Sequence, residues 1–199
     1  MIKVFDYGLL DSNTYLYVTD KKHAMIVDCG VVPDEIISYT QKEGIIVDYI
    51  ALTHGHYDHI DYIGDYASAY PNAKIICARE ELRVISDPEA NLSIFFGQSK
   101  KYEHNYTPLN EGDIISLPKN DGTSVDFSII HAPGHTAGCM CLYSKQEGIM
   151  FTGDVLFANG YGRVDLKTAS PAEMSASLRR LYTYDGVKIY PGHGGSAMI

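Results

Sequence analysis

A run of metal-binding side chains lies at residues 53–59, where the sequence reads THGHYDH directly after an apolar stretch. Its ligand-type residues are His54, His56, Asp58 and His59. Neutral imidazole and carboxylate groups are the usual protein ligands of zinc and of divalent iron and manganese. A structural zinc site more often uses cysteine, and no cysteine lies near this run. The cluster therefore indicates a reactive metal centre rather than a metal that only stabilises the fold.

Three later apolar runs end beside further ligand-type residues, which are His135, Asp154 and His193. Each run is short, is rich in β-branched or aromatic residues, and stops at glycine or at proline followed by glycine. That pattern predicts a buried strand followed by a tight turn. Ligands at strand ends in an α/β protein lie where such folds usually place their sites. We therefore expect the four strands to end at one shared edge, where these side chains converge.

The seven candidate donors are too many for a single metal ion. A catalytic tetrahedral ion takes three protein ligands and a water, so this number suits two ions that share a carboxylate. Asp154 is the predicted bridge, because each of its two oxygens can contact one ion. A single histidine after a strand more often packs or faces solvent, so the prediction rests on the complete set. The set consists of His54, His56, Asp58, His59, His135, Asp154 and His193.

Composition and charge narrow the possible partners. With 199 residues, 45% of them hydrophobic, the chain is long enough for one domain with a substantial core. The formal net charge of -9 and the absence of a basic run argue against a nucleic-acid partner. No stretch has the length and apolarity of a signal peptide or a membrane span. We expect a cytoplasmic protein that acts on a small-molecule substrate without a membrane, and the oligomeric state stays open.

The four cysteines show no C-x-x-C spacing. Cys29, Cys77 and Cys141 lie in apolar runs, which predicts buried and reduced thiols. Cys139 and Cys141 are also compatible with a soft-metal or redox pair. Packing within a strand is the simpler interpretation, because alternate residues of a strand face the same side.

The predicted elements follow the same order in both halves of the chain: a strand-rich part and then a helix. In the first half, strands are predicted at residues 2–7, 14–18, 24–28, 47–52 and 74–78, and helices at 33–42 and 61–70. Residues 79–99 are predicted to be mostly helical, with breaks near Pro88 and Gly97. In the second half, strands are predicted at residues 113–117, 125–130, 140–143, 149–152 and 188–190, with a helix at 171–182 capped by Ser170. Two such halves predict two sheets face to face with helices outside.

Five separated motifs resemble those of the metallo-β-lactamase fold superfamily, in the same order along the chain. The first metal motif has the pattern T-H-x-H-x-D-H, and a D-x-G turn lies beneath it. The matching segments are residues 27–30, 53–59, 133–136, 153–154 and 191–194. The resemblance covers nearly the whole chain. It implies an α/β fold, an αββα four-layer sandwich in a single domain of residues 1–199, with the metals at one end of the paired sheets.

Within the superfamily, Asp154 and the segment at residues 160–165 resemble short glyoxalase II-like proteins. The implied ligand groups are His54, His56 and His135 for one divalent ion and Asp58, His59 and His193 for the other. Zinc is the expected metal, and iron or manganese is also compatible with these donors. The resemblance implies that a hydroxide between the ions, oriented by Asp58, attacks a thioester carbonyl or, alternatively, another ester or a lactone.

Three residues outside the ligand set have predicted supporting roles. Asp28 is expected to fix the tautomer of an imidazole ligand from behind. Tyr57 and Arg163 are predicted substrate contacts, with an internal pair between Arg163 and Asp165 as the alternative. The helical C-terminal extension with which true glyoxalase II holds glutathione has no counterpart in this sequence, so glutathione binding stays open.

Other functions share this type of site. Persulfide dioxygenases have the same fold and use one iron, whose ligands would correspond to His54, His135 and Asp154. A protein that binds the metals without catalytic turnover is a further hypothesis. A β-lactamase is the most remote one, because the zinc-dependent antibiotic-cleaving branch typically has cysteine near the position of Asp154.

Overall fold

Two six-stranded β-sheets form the centre of the structure, a computed structural model that describes residues 1–199. The first sheet contains, in spatial order, β1 (Ile2–Phe5), β2 (Thr14–Val18), β3 (His23–Val27), β4 (Ile46–Ala51), β5 (Lys74–Ala78) and β6 (Tyr106–Leu109). The second contains β7 (Ile114–Pro118), β8 (Ser124–His131), β9 (Met140–Ser144), β10 (Ile149–Gly153), β11 (Lys188–Pro191) and β12 (Ala197–Met198). Each sheet therefore comes from one contiguous half of the chain.

The helices are short and lie between the strands in the sequence. They are α1 (Asp34–Glu43), α2 (Tyr57–Ile60), α3 (Ile63–Ala69), α4 (Leu82–Ser86) and α5 (Pro171–Leu181). Single 3-10 turns occur at Leu9–Asp11, Arg79–Glu81 and Ser93–Phe96. None of the helices combines the length and the apolarity that crossing a lipid bilayer requires.

Alternation along the strands builds three apolar cores and thereby four layers. In β2, Leu16 and Val18 pack in the core that also contains Ile36 of α1 and Tyr66 of α3. Tyr17, on the opposite face of β2, packs in the core between the two sheets. Successive side chains of a strand point to opposite faces, so one strand serves both cores. A third core lies between the second sheet and α5, and the predicted αββα sandwich is confirmed.

The direction of the strands gathers their carboxyl ends at one edge. β3, β4 and β5 are parallel neighbours, and so are β10 and β11. β8 has the same direction as β10, because each is antiparallel to β9. Parallel strands end on the same side of a sheet, so the loops that follow these strands meet at one end of the sandwich.

Local signals in the sequence explain where two of the helices begin or end. Ser170 caps α5, and its hydroxyl accepts a hydrogen bond from the backbone N–H of Glu173 at 3.3 Å, as predicted. Gly44 ends α1 in the left-handed conformation with φ 62°, which glycine adopts without steric cost.

Residues 79–99 contain α4 and two 3-10 turns, with a break around Pro88 and a stop at the left-handed Gly97, as predicted. The helical segments are shorter than predicted, because the backbone leaves the helical conformation from Asp87 to the left-handed Leu92. Neither β6 nor β12 was predicted from the sequence pattern. Both are short edge strands, and Pro108 inside β6 removes the usual strand pattern.

We predict that all four cysteine thiols are unreactive in the folded protein. Cys29, Cys77, Cys139 and Cys141 are at most 1% exposed, and burial raises the pKa of each thiol. The thiolate is the reactive form of cysteine, and burial disfavours its negative charge. A thiol reagent also cannot reach a buried sulfur atom. Titration with a chromogenic disulfide reagent at pH 8 should detect less than one thiol per native chain and four after denaturation. Rapid modification of two thiols in the native protein would contradict the burial of these cysteines.

Candidate metal centre

The seven predicted ligands lie together at the carboxyl edge of the two sheets. Four follow β4, on the loop into α2 and within α2, and the others follow β8, β10 and β11. Six of the seven side chains belong to residues that are at most 8% exposed. The side chain of His193 is 24% exposed and marks the side that opens to solvent. The members are His54, His56, Asp58, His59, His135, Asp154 and His193.

The first ligand group contains His54, His56 and His135, with ligand atoms that all lie within 4.8 Å of one another. Nδ1 of His56 and Nε2 of His135 are 2.8 Å apart. The rings of His54 and His135 meet edge to face with centroids 4.9 Å apart. Two loops, one from each sheet, supply this group.

The second ligand group contains Asp58, His59 and His193. Nε2 of His193 lies 3.3 Å from Oδ2 of Asp58 and 3.2 Å from Nε2 of His59. Asp58 and His59 are adjacent in α2, whereas His193 comes from the opposite sheet after β11. This group, too, is assembled across the sandwich.

Asp154 lies between the two groups. Its Oδ2 is 3.5 Å from Nε2 of His135 in the first group and 3.5 Å from Nε2 of His193 in the second. Its Oδ1 is 3.5 Å from Nε2 of His59. The predicted bridging position of Asp154 is therefore geometrically available, because its two oxygens reach ligands of both groups.

Asp28 supports the cluster from beneath. Its Oδ1 accepts the backbone N–H of Thr53 at 2.8 Å, and its Oδ2 accepts the Thr53 hydroxyl at 2.8 Å. Oδ2 also lies 3.0 Å from Nδ1 of His59. Asp28 has φ 61°, a left-handed conformation that aspartate tolerates better than most residues. A carboxylate at Nδ1 keeps the proton on that nitrogen and turns Nε2 of His59 towards the other ligands.

Backbone carbonyls orient two further histidines in the same way. Nδ1 of His135 lies 2.8 Å from the carbonyl oxygen of Arg163, and Nδ1 of His193 lies 3.1 Å from that of Leu10. Leu10 is itself left-handed, with φ 57°. Both contacts favour the tautomer that leaves Nε2 free to face the centre of the cluster.

The electrostatics differ between the two groups. Burial lowers the pKa of His54, His56 and His135, which favours the neutral imidazoles that metals require. Burial also opposes a charge on His59, but the carboxylates of Asp58, Asp154 and Asp28 raise its pKa to about 10. The second group therefore has the excess of negative charge, and it attracts either a proton or a cation.

The donor set fits divalent cations. Three buried atoms, Nε2 of His54, Nε2 of His56 and Oδ1 of Asp154, have no hydrogen-bond partner. Buried polar atoms are normally paired, and leaving one unpaired costs about 1–3 kcal/mol. Nitrogen ligands of tetrahedral zinc lie about 3.3 Å apart, as follows from a Zn–N distance of about 2.0–2.1 Å. The distances of 2.8 to 3.6 Å between facing donors in the cluster are close to that separation.

Two glycines leave the space that this arrangement needs. A Cβ atom at Gly192 would overlap Oδ1 of Asp154 and would approach Cε1 of His59 to 2.7 Å. A Cβ atom at Gly162 would overlap the Asp154 backbone and approach Nδ1 of His135 to 2.8 Å. The glycines beside the ligands are therefore required by close packing around the cluster.

Residues 7–193 match the metallo-beta-lactamase superfamily, a span that includes all seven ligands. The chain belongs to this superfamily. It is similar to the hydroxyacylglutathione hydrolase GloC of Haemophilus influenzae, with 27% identity over 202 residues that cover 100% of this chain and 92% of GloC.

Solved structures of this superfamily show the same fold. The B3 metallo-beta-lactamase BLEG-1 aligns with a TM-score of 0.86 and 27% identity, over 100% of this chain and 94% of that one. The protein TTHA1623 in a di-iron-bound form aligns with a TM-score of 0.83 and 29% identity, over 98% of this chain and 94% of that one. Among relatives of this chain, a site that holds two irons is therefore known.

The cavity over the seven candidate ligands is small, about 260 Å³. Its walls are mostly apolar and include Leu10, Leu92, Phe157, Tyr161 and Leu166. Two of these residues, Leu10 and Leu92, have left-handed backbones with φ 57° and 70°. Strained backbone of this kind concentrates at functional sites, where the surrounding structure holds it in place.

The two predicted substrate contacts have different positions. Arg163 is among the residues that line the cavity, and its guanidinium pairs with both carboxylate oxygens of Asp165 at 3.0 Å, which is the internal pair considered as the alternative. Tyr57 does not line this cavity. Its ring stacks on Phe96 with centroids 5.4 Å apart, in a neighbouring groove. Successive residues of a helix differ by about 100° in direction, so Tyr57 points away when its neighbours in α2 point inward.

One buried acid beside the cluster was not predicted from the sequence. Glu81 is 0% exposed and accepts a hydrogen bond from the backbone of Gly55, between His54 and His56. It follows β5 next to the exposed Glu80. A pair of acids before a short helix is typical of a solvated surface, so no local signal distinguishes the buried one.

We predict that Asp28→Asn weakens metal binding at the second ligand group about 10–100-fold, the usual effect of removing such a supporting contact. Asparagine keeps the left-handed backbone, but an NH₂ donor replaces one of the two carboxylate oxygens. His59 then shifts its proton to Nε2 and loses the lone pair that faces the cluster. Competition titration of zinc against a chromophoric chelator measures this affinity.

Asp48→Asn is the matched control for that substitution. Asp48 pairs with His23, with oxygen–nitrogen distances of 3.0 and 2.8 Å, on a half-buried surface away from the cluster. It should bind zinc like the unmodified protein. Equal zinc affinities for the Asp28→Asn and Asp48→Asn proteins would contradict the role given to Asp28.

Proposed function

We propose that this protein hydrolyses a thioester with a small acyl group by means of two divalent cations held by the seven ligands. The observation that carries the proposal is the position of Asp154, with oxygens 3.5 Å from ring nitrogens of both ligand groups. One carboxylate can thereby fix the separation of two ions. The name of GloC, a hydroxyacylglutathione hydrolase similar over the whole chain, supports the choice of a thioester.

Divalent cations held by the seven side chains would supply Lewis-acid chemistry, which lowers the pKa of water and polarises a carbonyl group. No serine or cysteine lines the cavity, so attack on the carbonyl carbon is assigned to water rather than to a side chain. Asp58, which borders the cavity, is placed to accept a hydrogen bond from that water and to orient it. Asp28 and the carbonyl of Leu10 hold His59 and His193 in their ring orientations during the reaction.

The cavity supports a small acyl group. Its volume of about 260 Å³ is below the roughly 300–1,000 Å³ of a typical ligand pocket, so most of a larger thiol must lie outside it. Leu10, Leu92 and Leu166 contribute apolar surface to the walls of the cavity. The only arginine or lysine at the cavity is Arg163, and its charge is already paired with Asp165. A substrate with a small acyl group and few charges near the carbonyl suits these walls.

Cleavage of a β-lactam amide is the second candidate. The similarity to BLEG-1, with a TM-score of 0.86 over the whole chain, supports it. Four substrates separate the candidates: S-D-lactoylglutathione, the lactoyl thioester of N-acetylcysteamine, a γ-lactone and a chromogenic cephalosporin. We expect the metal-replete protein to cleave both thioesters faster than the lactone and the cephalosporin.

Failure of both thioesters would refute the proposed substrate class. Cleavage of only the cephalosporin would identify a β-lactamase, and oxygen uptake with glutathione persulfide would identify a dioxygenase. The comparison of the two lactoyl thioesters tests the thiol side separately, because the acyl group is the same in both. Similar rates would indicate that the glutathione part makes few contacts.

We predict that Asp154→Asn lowers kcat for thioester cleavage by about 100-fold or more and also lowers the metal content. The amide has one acceptor oxygen and no charge, so it cannot serve both ligand groups, and loss of several kcal/mol of electrostatic stabilisation corresponds to this factor. Asp126→Asn is the matched control, because the carboxylate of Asp126 accepts hydrogen bonds from the hydroxyls of Ser116 and Ser124, outside the cluster. Full turnover and two bound ions in Asp154→Asn would contradict the bridging role.

A further inference from the structure

A buried carboxylate outside the ligand set lies between the two loops that supply the first ligand group. Glu81 ends the 3-10 turn Arg79–Glu81, directly after β5, and it is 0% exposed. β5 is the parallel neighbour of β4, whose carboxyl end leads to His54 and His56. Glu81 therefore lies at the same edge of the first sheet as the metal-binding loop, one strand away.

Both oxygens of Glu81 accept hydrogen bonds from these loops. The N–H of Gly55 donates to Oε1 at 2.7 Å, and the hydroxyl of Thr136 donates to Oε2 at 2.8 Å. A Cβ atom at Gly138 would lie 2.6 Å from Oε2, so only glycine allows this approach. One side chain thus connects a loop of the first sheet to a loop of the second.

The partners of Glu81 flank only one ligand group. Gly55 separates His54 from His56, and Thr136 follows His135. These three histidines are the complete first group. The second group has other supports, which are Asp28 behind His59, the carbonyl of Leu10 behind His193 and the Ser12 hydroxyl on the backbone of Asp58. Asp28 also bonds Thr53 beside His54, so it reaches both groups, whereas the contacts of Glu81 lie only on the loops of the first group.

Glu81 forms no salt bridge, and its carboxylate is hydrogen-bonded by the N–H of Gly55 and the hydroxyl of Thr136. Burial raises its pKa and these hydrogen bonds lower it, and the net result is a pKa raised to about 7. A buried carboxylate without a counter-ion is costly. A divalent cation in the adjacent histidine group would supply the missing positive charge.

We propose that Glu81 is a positioning residue that organises the His54, His56 and His135 group for one metal ion, acting through Gly55 and Thr136. The inference rests on the two-metal site of the proposed function. In this inference, Glu81 does for the first ligand group what Asp28 does for His59 in the second. Glu81 supports the first ion from one side of the cluster, and Asp28 supports the second ion from the other side.

Stepwise zinc titration of the Glu81→Gln protein tests the proposal. Glutamine keeps the size but removes the charge and one acceptor oxygen. We expect one of the two zinc equivalents to bind about 10–100-fold more weakly, the usual effect of such a supporting residue, and the other to be unchanged. Imidazole nitrogen NMR identifies the site: at one equivalent, the signals of His59 and His193 should move, whereas those of His56 and His135 should stay at their metal-free positions.

Three further variants separate positioning from folding. Thr136→Val removes the hydroxyl at nearly constant volume and should weaken the same equivalent, whereas Thr136→Ser keeps the hydroxyl and should restore it. Glu80→Gln is the matched control at the neighbouring exposed acid. The Thr136 pair carries the test if the Glu81→Gln protein does not fold, as judged by circular dichroism of the metal-free protein.

Unchanged binding of both equivalents, or equal weakening of both, would overturn the proposal. The unmodified protein in the same series separates this result from a failure of the proposed function. If it binds two ions without cleaving any thioester, only the proposed reaction is refuted. If it binds no metal, both the reaction and the role of Glu81 are refuted.

Discussion

Burial of ionisable side chains at the carboxyl edge of the two sheets is the constraint on which the rest of the structure depends. His54 and His59 are 0% exposed, and Asp58 and Asp154 are at most 8% exposed. Groups of this kind remain buried only when hydrogen bonds, opposite charges or metal ions compensate for lost hydration. The contacts behind the ligands supply part of that compensation, and the three unpartnered atoms of the cluster mark the part that cations would supply.

The fold makes this compensation possible because each ligand group is built from both sheets. Loops after β4 and β8 meet at the first group, and α2 meets the loop after β11 at the second. Neither half of the chain can complete a group alone. The two sheets pack together through the core that contains Phe127 and Phe151, and this packing sets the distances between the ligands. The stability of the fold and the geometry of the metal site therefore depend on the same contacts.

The seven candidate ligands could be predicted from the sequence because each lies beside a glycine-containing stop at the end of a strand, which is a local signal. Other features depend on tertiary structure. Glu81 resembles the exposed Glu80 beside it, and only the approach of Gly55 and Thr136 makes it a buried acceptor. The direction of Tyr57 follows from the orientation of a single helical turn, which a sequence pattern does not fix. The edge strands β6 and β12 are defined by their neighbours rather than by their own residues.

Anomalous diffraction from crystals of the metal-replete protein, recorded on both sides of the metal absorption edge, tests the central claim most directly. Two peaks are predicted, one among His54, His56 and His135 and the other among Asp58, His59 and His193, with the Asp154 carboxylate between them. A single peak, or peaks away from these side chains, would contradict the two-ion arrangement on which this interpretation of the fold depends.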